Sequence, residues 1–213
     1  MTKMKKVQRL GVDGVEENKQ QLDDISLASV WQSFGIFIIA GYVLLLLFFG
    51  EGRFSYLQTM WEAENVLLDI GFGVLIGVLF TGTIALLYYF TSLSMPDNQY
   101  TKLIKKMLYK KYGVFTIAFG AGISEEILFR GALLGIGMKY METFWALLVV
   151  SLIFMALHIP QYKGNIWVHV IVFGMGMVLG WLFIETGALW APIAAHTAYN
   201  GCISLLMKRQ GRE

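Results

Sequence analysis

Six long apolar stretches follow one another along this chain: roughly Val30 to Gly50, Ile70 to Leu93, Val114 to Gly137, Thr143 to Ile159, Ile166 to Ile184 and Ala188 to Met207. Most are near the length of about 20 residues that a helix needs to cross the hydrocarbon layer of a bilayer. None alternates polar and apolar positions as a barrel strand does, and a helix satisfies its own backbone hydrogen bonds in lipid. The pattern predicts an all-α fold, a polytopic transmembrane bundle of about six spans. The first two stretches carry no charge, the third is interrupted by Glu125, Glu126 and Arg130, and the fourth is short and stops before Pro160. The chain divides into a polar leader (1–27), two N-terminal spans joined to a basic loop (28–112) and a core of about four spans (113–213).

Composition agrees. At 56% hydrophobic and 15% charged, the chain is too apolar for an ordinary soluble domain, and its solvent is expected to be the lipid bilayer. A formal net charge of +2 suggests no nucleic-acid partner. Cys202 is the single cysteine, so an internal disulfide and a cysteine metal cluster are both ruled out. The first apolar run ends in Gly50-Glu51-Gly52-Arg53 without a small-x-small cleavage pattern, and is expected to stay as an anchor.

Where the basic residues fall sets the orientation. The leader holds Lys3, Lys5, Lys6, Arg9 and Lys19, the second loop Lys102, Lys105, Lys106, Lys110 and Lys111, and the tail Lys208, Arg209 and Arg212. The first, third and fifth loops hold only Arg53 and Lys139, beside Glu51, Glu62, Glu64, Glu142 and Glu185. Cytoplasmic loops carry the excess of lysine and arginine, so the expectation is an even number of spans in the cell membrane with both termini cytoplasmic. Met95-Pro96-Asp97-Asn98 reads as a turn before a basic stretch near the headgroups. Gly71, Gly73 and Gly77, and Gly174, Gly176 and Gly180, are expected to let helices approach closely.

Charge inside a membrane helix costs about 2.5–3.5 kcal/mol on insertion scales, so the third span needs a reason for its carboxylates. Glu126 and Arg130, four residues apart, share a helix face as an ion pair, while Glu125 is turned about 100° away and is left for another task. Phe154 and His158, and likewise His196 and Asn200, sit one turn apart on the fourth and sixth stretches. Brought together, these groups supply what amide hydrolysis needs: Glu125 as base for water, His158 to orient it, and His196 with Asn200 to bind the oxyanion. Arg130 would hold Glu126 in place. The same atoms admit a metal reading, with Glu125, His158 and His196 binding a divalent ion such as zinc and leaving a position for water. No His-Glu-x-x-His is present, and no Gly-x-Ser-x-Gly. His169 has no polar neighbour at helical spacing beyond Asn165 and reads as structural, as does Cys202.

Taken in order, Glu125-Glu126-x-x-x-Arg130, Phe154-x-x-x-His158 and His196-x-x-x-Asn200 resemble the three motifs of the CAAX protease and bacteriocin-processing family, also called Abi. Phe129-Arg130-Gly131 after the first motif, and Thr186-Gly187-Ala188-Leu189-Trp190-Ala191-Pro192 before the last, are similar to the family as well. The resemblance spans roughly Val114 to Met207. It implies an intramembrane endopeptidase acting on a membrane-associated peptide or protein, with Glu125, His158, His196 and Asn200 as its catalytic set and Glu126, Arg130 and Phe154 in support. It leaves open a metal-dependent and a glutamate-only mechanism. A bacteriocin-immunity factor or scaffold keeping the motifs, and a transporter whose ionisable residues line a path, are the competing readings. One tension is internal: His158 falls near the cytoplasmic end of its span, whereas Glu125 and His196 lie deeper.

Overall fold

The computed structural model describes residues 26–91 and 96–210, and every regular element among them is helical. The leader lysines, Arg9, Met95 and Arg212 lie outside the described residues. In chain order the elements are α1 (Leu27–Phe48), α2 (Arg53–Thr59), α3 (Val66–Phe90), α4 (Gln99–Tyr109), a continuous helical stretch α5 (113–140), α6 (Thr143–Leu157), α7 (Ile159–Tyr162), α8 (Ile166–Thr186) and α9 (Trp190–Gln210). By length and composition α1, α3 and α8 can cross a membrane, and α6 is a shorter apolar helix. All six apolar stretches are helical.

Local chemistry sets the boundaries. Ser26, Asn65, Asn98 and Asn165 each accept a backbone N–H in the first turn of the helix that follows, supplying one of the partners that a helix start lacks. Asn65 thereby starts α3 four residues before the expected Ile70. Gly187, at φ 69°, closes α8 in the left-handed conformation that favours glycine, and α9 starts at Trp190 with Pro192 tolerated in its first turn.

The bundle is apolar outside, and its mostly apolar interior encloses a polar cluster. Ile36, Ile39 and Leu47 on α1, and Leu67 and Leu68 on α3, stand exposed, whereas Glu126, Arg130 and His196 are buried. A surface of this kind suits lipid rather than water. The central contact is α3 against α9. A Cβ at Gly73 or Gly77 would overlap the carbonyl oxygens of Ala191 and Ala195, so the two backbones touch along a small-x-x-x-small seam. Gly176 and Gly180 on α8 give the same close approach to Ser151 and Leu147 of α6. Gly71 and Gly174 face open space, and the packing expected of them is absent.

The loops carry structure of their own. In the first loop, the Tyr56 hydroxyl donates to Gly131 O at 2.7 Å and occupies the space a Cβ at Gly135 would fill. Leu189 N donates to Met60 O at 2.9 Å, and Trp190 Nε1 to Trp61 O at 2.9 Å, fixing the start of α9. Lys139 Nζ donates to Phe49 O and Tyr140 OH to Phe48 O, so the first, third and fifth loops gather at one end of the bundle. At the other end, Asn98 Nδ2 donates to Gln161 O at 2.9 Å and Tyr109 OH to Lys208 O at 3.0 Å. The basic stretch between them is the amphipathic helix α4, with Thr101, Met107 and Leu108 buried and Lys102 and Lys105 exposed.

Candidate active site

The site grows from the middle of α5. Two π-helical stretches, Thr116–Ala121 and Ile127–Leu134, flank a short α-helical segment, Gly122–Glu126, that carries both glutamates. A π turn widens the helix by one residue per hydrogen-bonded loop and re-aims the side chains around it, and such turns recur at functional sites. Glu126 points inward. Arg130 Nη1 donates to its Oε1 at 2.9 Å, and His196 Nδ1 lies 2.7 Å from the same oxygen. Arg130 Nη2 reaches across to Gly176 O on α8 at 3.0 Å. Glu126, Arg130 and His196 are 0%, 1% and 4% exposed, so the charges compensate one another away from solvent.

Phe154 is the hub that holds the motifs at fixed separation. Its ring lies 4.7 Å from the Arg130 guanidinium, 4.7 Å from the His158 ring and 6.1 Å from the His196 ring. Phe129 meets it edge-on at 5.0 Å. A cation over its ring, with two imidazoles beside it, makes Phe154 both a packing core and a partner for the buried charge.

Glu125, His158, His196 and Asn200 line one cavity of about 250 Å³, framed by α1, α4, α5, α7 and α9. The structure thus brings together the four expected residues. Glu125 Oε2 is buried and has no hydrogen-bond partner among the described residues. His158 is not stranded at a span end: α6 stops at Leu157, the chain turns at His158, and the next short helix begins at Ile159 with Pro160 in its first turn, which leaves the imidazole facing the cavity. Its Nδ1 is 2.7 Å from Phe154 O. A carbonyl can only accept, so Nδ1 carries the proton and, in a neutral ring, Nε2 is the acceptor. His169 and Cys202 lie off this cavity.

As placed, Glu125, His158 and His196 do not fit a metal site. Among the described residues no three histidine, cysteine, aspartate or glutamate side chains converge to hold an ion. Sequence reasoning missed the bond from His196 to Glu126, because 70 residues separate the two, and it missed Gln161 and Tyr162, which also line the cavity. Tyr162 follows His158 by four residues, a helical spacing that Pro160 hides.

Residues 109–202, which hold all three motifs, match the family model "Type II CAAX prenyl endopeptidase Rce1-like". The uncharacterized protein YpbD of Bacillus subtilis (strain 168) is 30% identical over 154 residues, covering 70% of this chain and 74% of that protein. The chain belongs to the Rce1-like CAAX endopeptidase family. No solved structure matches it. The Rce1-like match runs from the end of α4 to the middle of α9, so the first two long helices and α2 lie outside it. They are nonetheless built into the site: α3 seats α9 through the glycine seam, and Phe34 of α1 borders the cavity.

Proposed function

We propose that this chain is an intramembrane endopeptidase that hydrolyses a peptide bond in a membrane-associated peptide or protein, with Glu125 activating water. The observation that carries the reading is the division of labour between adjacent glutamates. Glu126 is tied through Oε1 to Arg130 and His196 and does not line the cavity, whereas Glu125 does; each of the two carboxylates has a buried Oε2 without a hydrogen-bond partner. A water held between Glu125 and His158 Nε2 meets two acceptors and can donate one hydrogen to each. As its oxygen attacks the scissile carbonyl carbon, its proton passes to Glu125 and negative charge builds on the carbonyl oxygen.

Asn200 Nδ2 and His196 Nε2 are the donors for that oxyanion. His196 donates from Nε2 only when both ring nitrogens are protonated, and the Glu126 carboxylate, 2.7 Å from Nδ1, is the counter-charge for that imidazolium. Collapse of the tetrahedral intermediate breaks the C–N bond, and the proton on Glu125 passes to the leaving nitrogen. The products are a carboxylic acid and an amine. Metal is not needed for any of these steps.

Six spans with both termini cytoplasmic remain our reading of the charge pattern. It is supported by the gathering of the first, third and fifth loops at one end and of α4, the fourth loop and Lys208 at the other. The cavity, bordered by Thr101, Ile104 and Met107 of α4, would then receive substrate and water from the cytoplasmic side. The test is to compare membrane peptides from cells carrying the wild type and Glu125→Gln. Fragments that vanish with the variant, while its membrane insertion is unchanged, support the proposal; an unaltered peptide population at equal expression overturns it.

A further inference from the structure

Helix α4 has two unlike faces. Thr101, Ile104, Met107 and Leu108 recur on one side at helical spacing; Thr101, Met107 and Leu108 are buried, and Thr101, Ile104 and Met107 wall the cavity that holds Glu125. Lys102, Lys105, Lys106 and Tyr109 take the opposite side, at i, i+3, i+4 and i+7, and all four are exposed. Lys208, from the end of α9, joins them: its Nζ lies over the Tyr109 ring, 5.7 Å from the centroid, and its carbonyl accepts from the Tyr109 hydroxyl at 3.0 Å. Between Pro96 and Gly113 the chain holds five lysines against one acid, Asp97, which stands 3.3 Å from Lys102 Nζ, so the stretch is left with net positive charge. Like charges three and four residues apart on a helix repel, and an anion laid across them removes that repulsion.

The surroundings say which anion. Tyr89 and Phe90 at the end of α3, and Leu205 and Leu206 on the last turns of α9, present exposed apolar surface at this end of the bundle. Tyr100 and Tyr112 stand exposed on either side of the lysines. Apolar helix ends, then aromatic rings, then lysines is the order of layers met on passing from hydrocarbon to headgroup. A soluble acidic partner would engage the lysines and leave the apolar border unexplained.

We propose that Lys102, Lys105, Lys106 and Lys208 form a binding surface for the headgroup phosphates of anionic phospholipids, and that this contact holds the α4 wall of the cavity in place. Asn98 fastens the start of α4 to Gln161, and Tyr109 fastens its end to Lys208, so the helix held by lipid at its outer face is held at its inner face too. The surface does not depend on the reaction proposed for the cavity, only on the two faces of the helix that walls it.

The test is amide hydrogen exchange of the full chain in lipid nanodiscs, either of phosphatidylcholine alone or of equal parts phosphatidylcholine and phosphatidylglycerol. The amides of Gln99–Tyr109 are expected to exchange at least about fivefold more slowly in the anionic discs, the effect of one lysine against an anionic surface. Those of α8 are expected to exchange alike in both discs and report an intact fold. A variant combining Lys102→Gln, Lys105→Gln and Lys106→Gln is expected to lose the difference, and one with arginine at the same three positions to keep it. Equal exchange of the wild type in the two discs overturns the proposal, as does a glutamine variant that still responds, or an arginine variant that does not while its α8 is unchanged. Slowing in phosphatidylcholine discs by soluble glycerol phosphate or by an acidic peptide would assign the lysines to a soluble anion and overturn it as well.

Discussion

Adjacent glutamates sit in different surroundings here, and the difference lies in what each one touches. Glu126 is wholly buried between a guanidinium and an imidazole, so its removal strands Arg130 as an uncompensated buried charge. Glu126→Ala is expected to lose about 3–5 kcal/mol of stability, read as a lowered unfolding midpoint in detergent. Replacing both partners, Glu126→Met with Arg130→Met, is expected to recover most of that loss, because no buried charge remains unpaired. Under the proposed mechanism activity should not return with it, because His196 would still lack the Glu126 carboxylate beside its Nδ1. A double variant that is both stable and active would show that Glu126 has only a structural part. The i to i+4 half of this arrangement was legible in the sequence, since Glu126 and Arg130 share a face in any helix. The half that matters for His196 was not, because it joins α5 to α9 through tertiary packing that no local pattern encodes.

At the scale of elements, the glycines separate packing from mere composition. Gly73 and Gly77 seat α3 on the backbone of α9, the helix that carries His196 and Asn200. Gly77→Leu is expected to destabilise the fold by at least about 1–3 kcal/mol, since a side chain there meets a carbonyl oxygen rather than a flexible neighbour. Gly174→Ala, which meets open space, is expected to be neutral or stabilising by up to about 1 kcal/mol through helix propensity. Unfolding midpoints of the two variants, measured side by side, check the contrast. The continuous apolar runs marked six stretches that are helical among the described residues, yet they could not tell Gly77 from Gly174, because both sit in equally apolar runs. Nor could they reveal the π stretches around Glu125 or the short helices α2 and α4. Tyr56 shows why: its hydrogen bond to Gly131 spans 75 residues, and its burial depends on the glycine at 135. Tyr56→Phe, which removes the hydroxyl donor to that buried carbonyl, is expected to cost about 1 kcal/mol in the same assay.

For the molecule as a whole, the arrangement of loops makes the orientation testable without knowledge of the substrate. Hydrogen bonds tie Phe48 and Phe49 to Tyr140 and Lys139, and Met60 to Leu189, so these loops cannot lie on opposite faces of a membrane. In the same way, Asn98 with Gln161 and Tyr109 with Lys208 fix the second loop, the fourth loop and the end of α9 on one face. The lysines of α4 and Lys208 then crowd the second face, where the charge bias of membrane insertion puts the cytoplasm. Since Cys202 is the single cysteine, Cys202→Ser gives a background in which one exposed position at a time can be replaced. Glu51→Cys is expected to react with a membrane-impermeant maleimide in intact cells, whereas Lys105→Cys should react only after the membrane is opened. Labelling of Lys105→Cys from outside would reverse the orientation and put the mouth of the cavity that holds Glu125 on the outer face. Equal labelling of both from one side would break the six-span arrangement, and with it the route proposed for water and substrate.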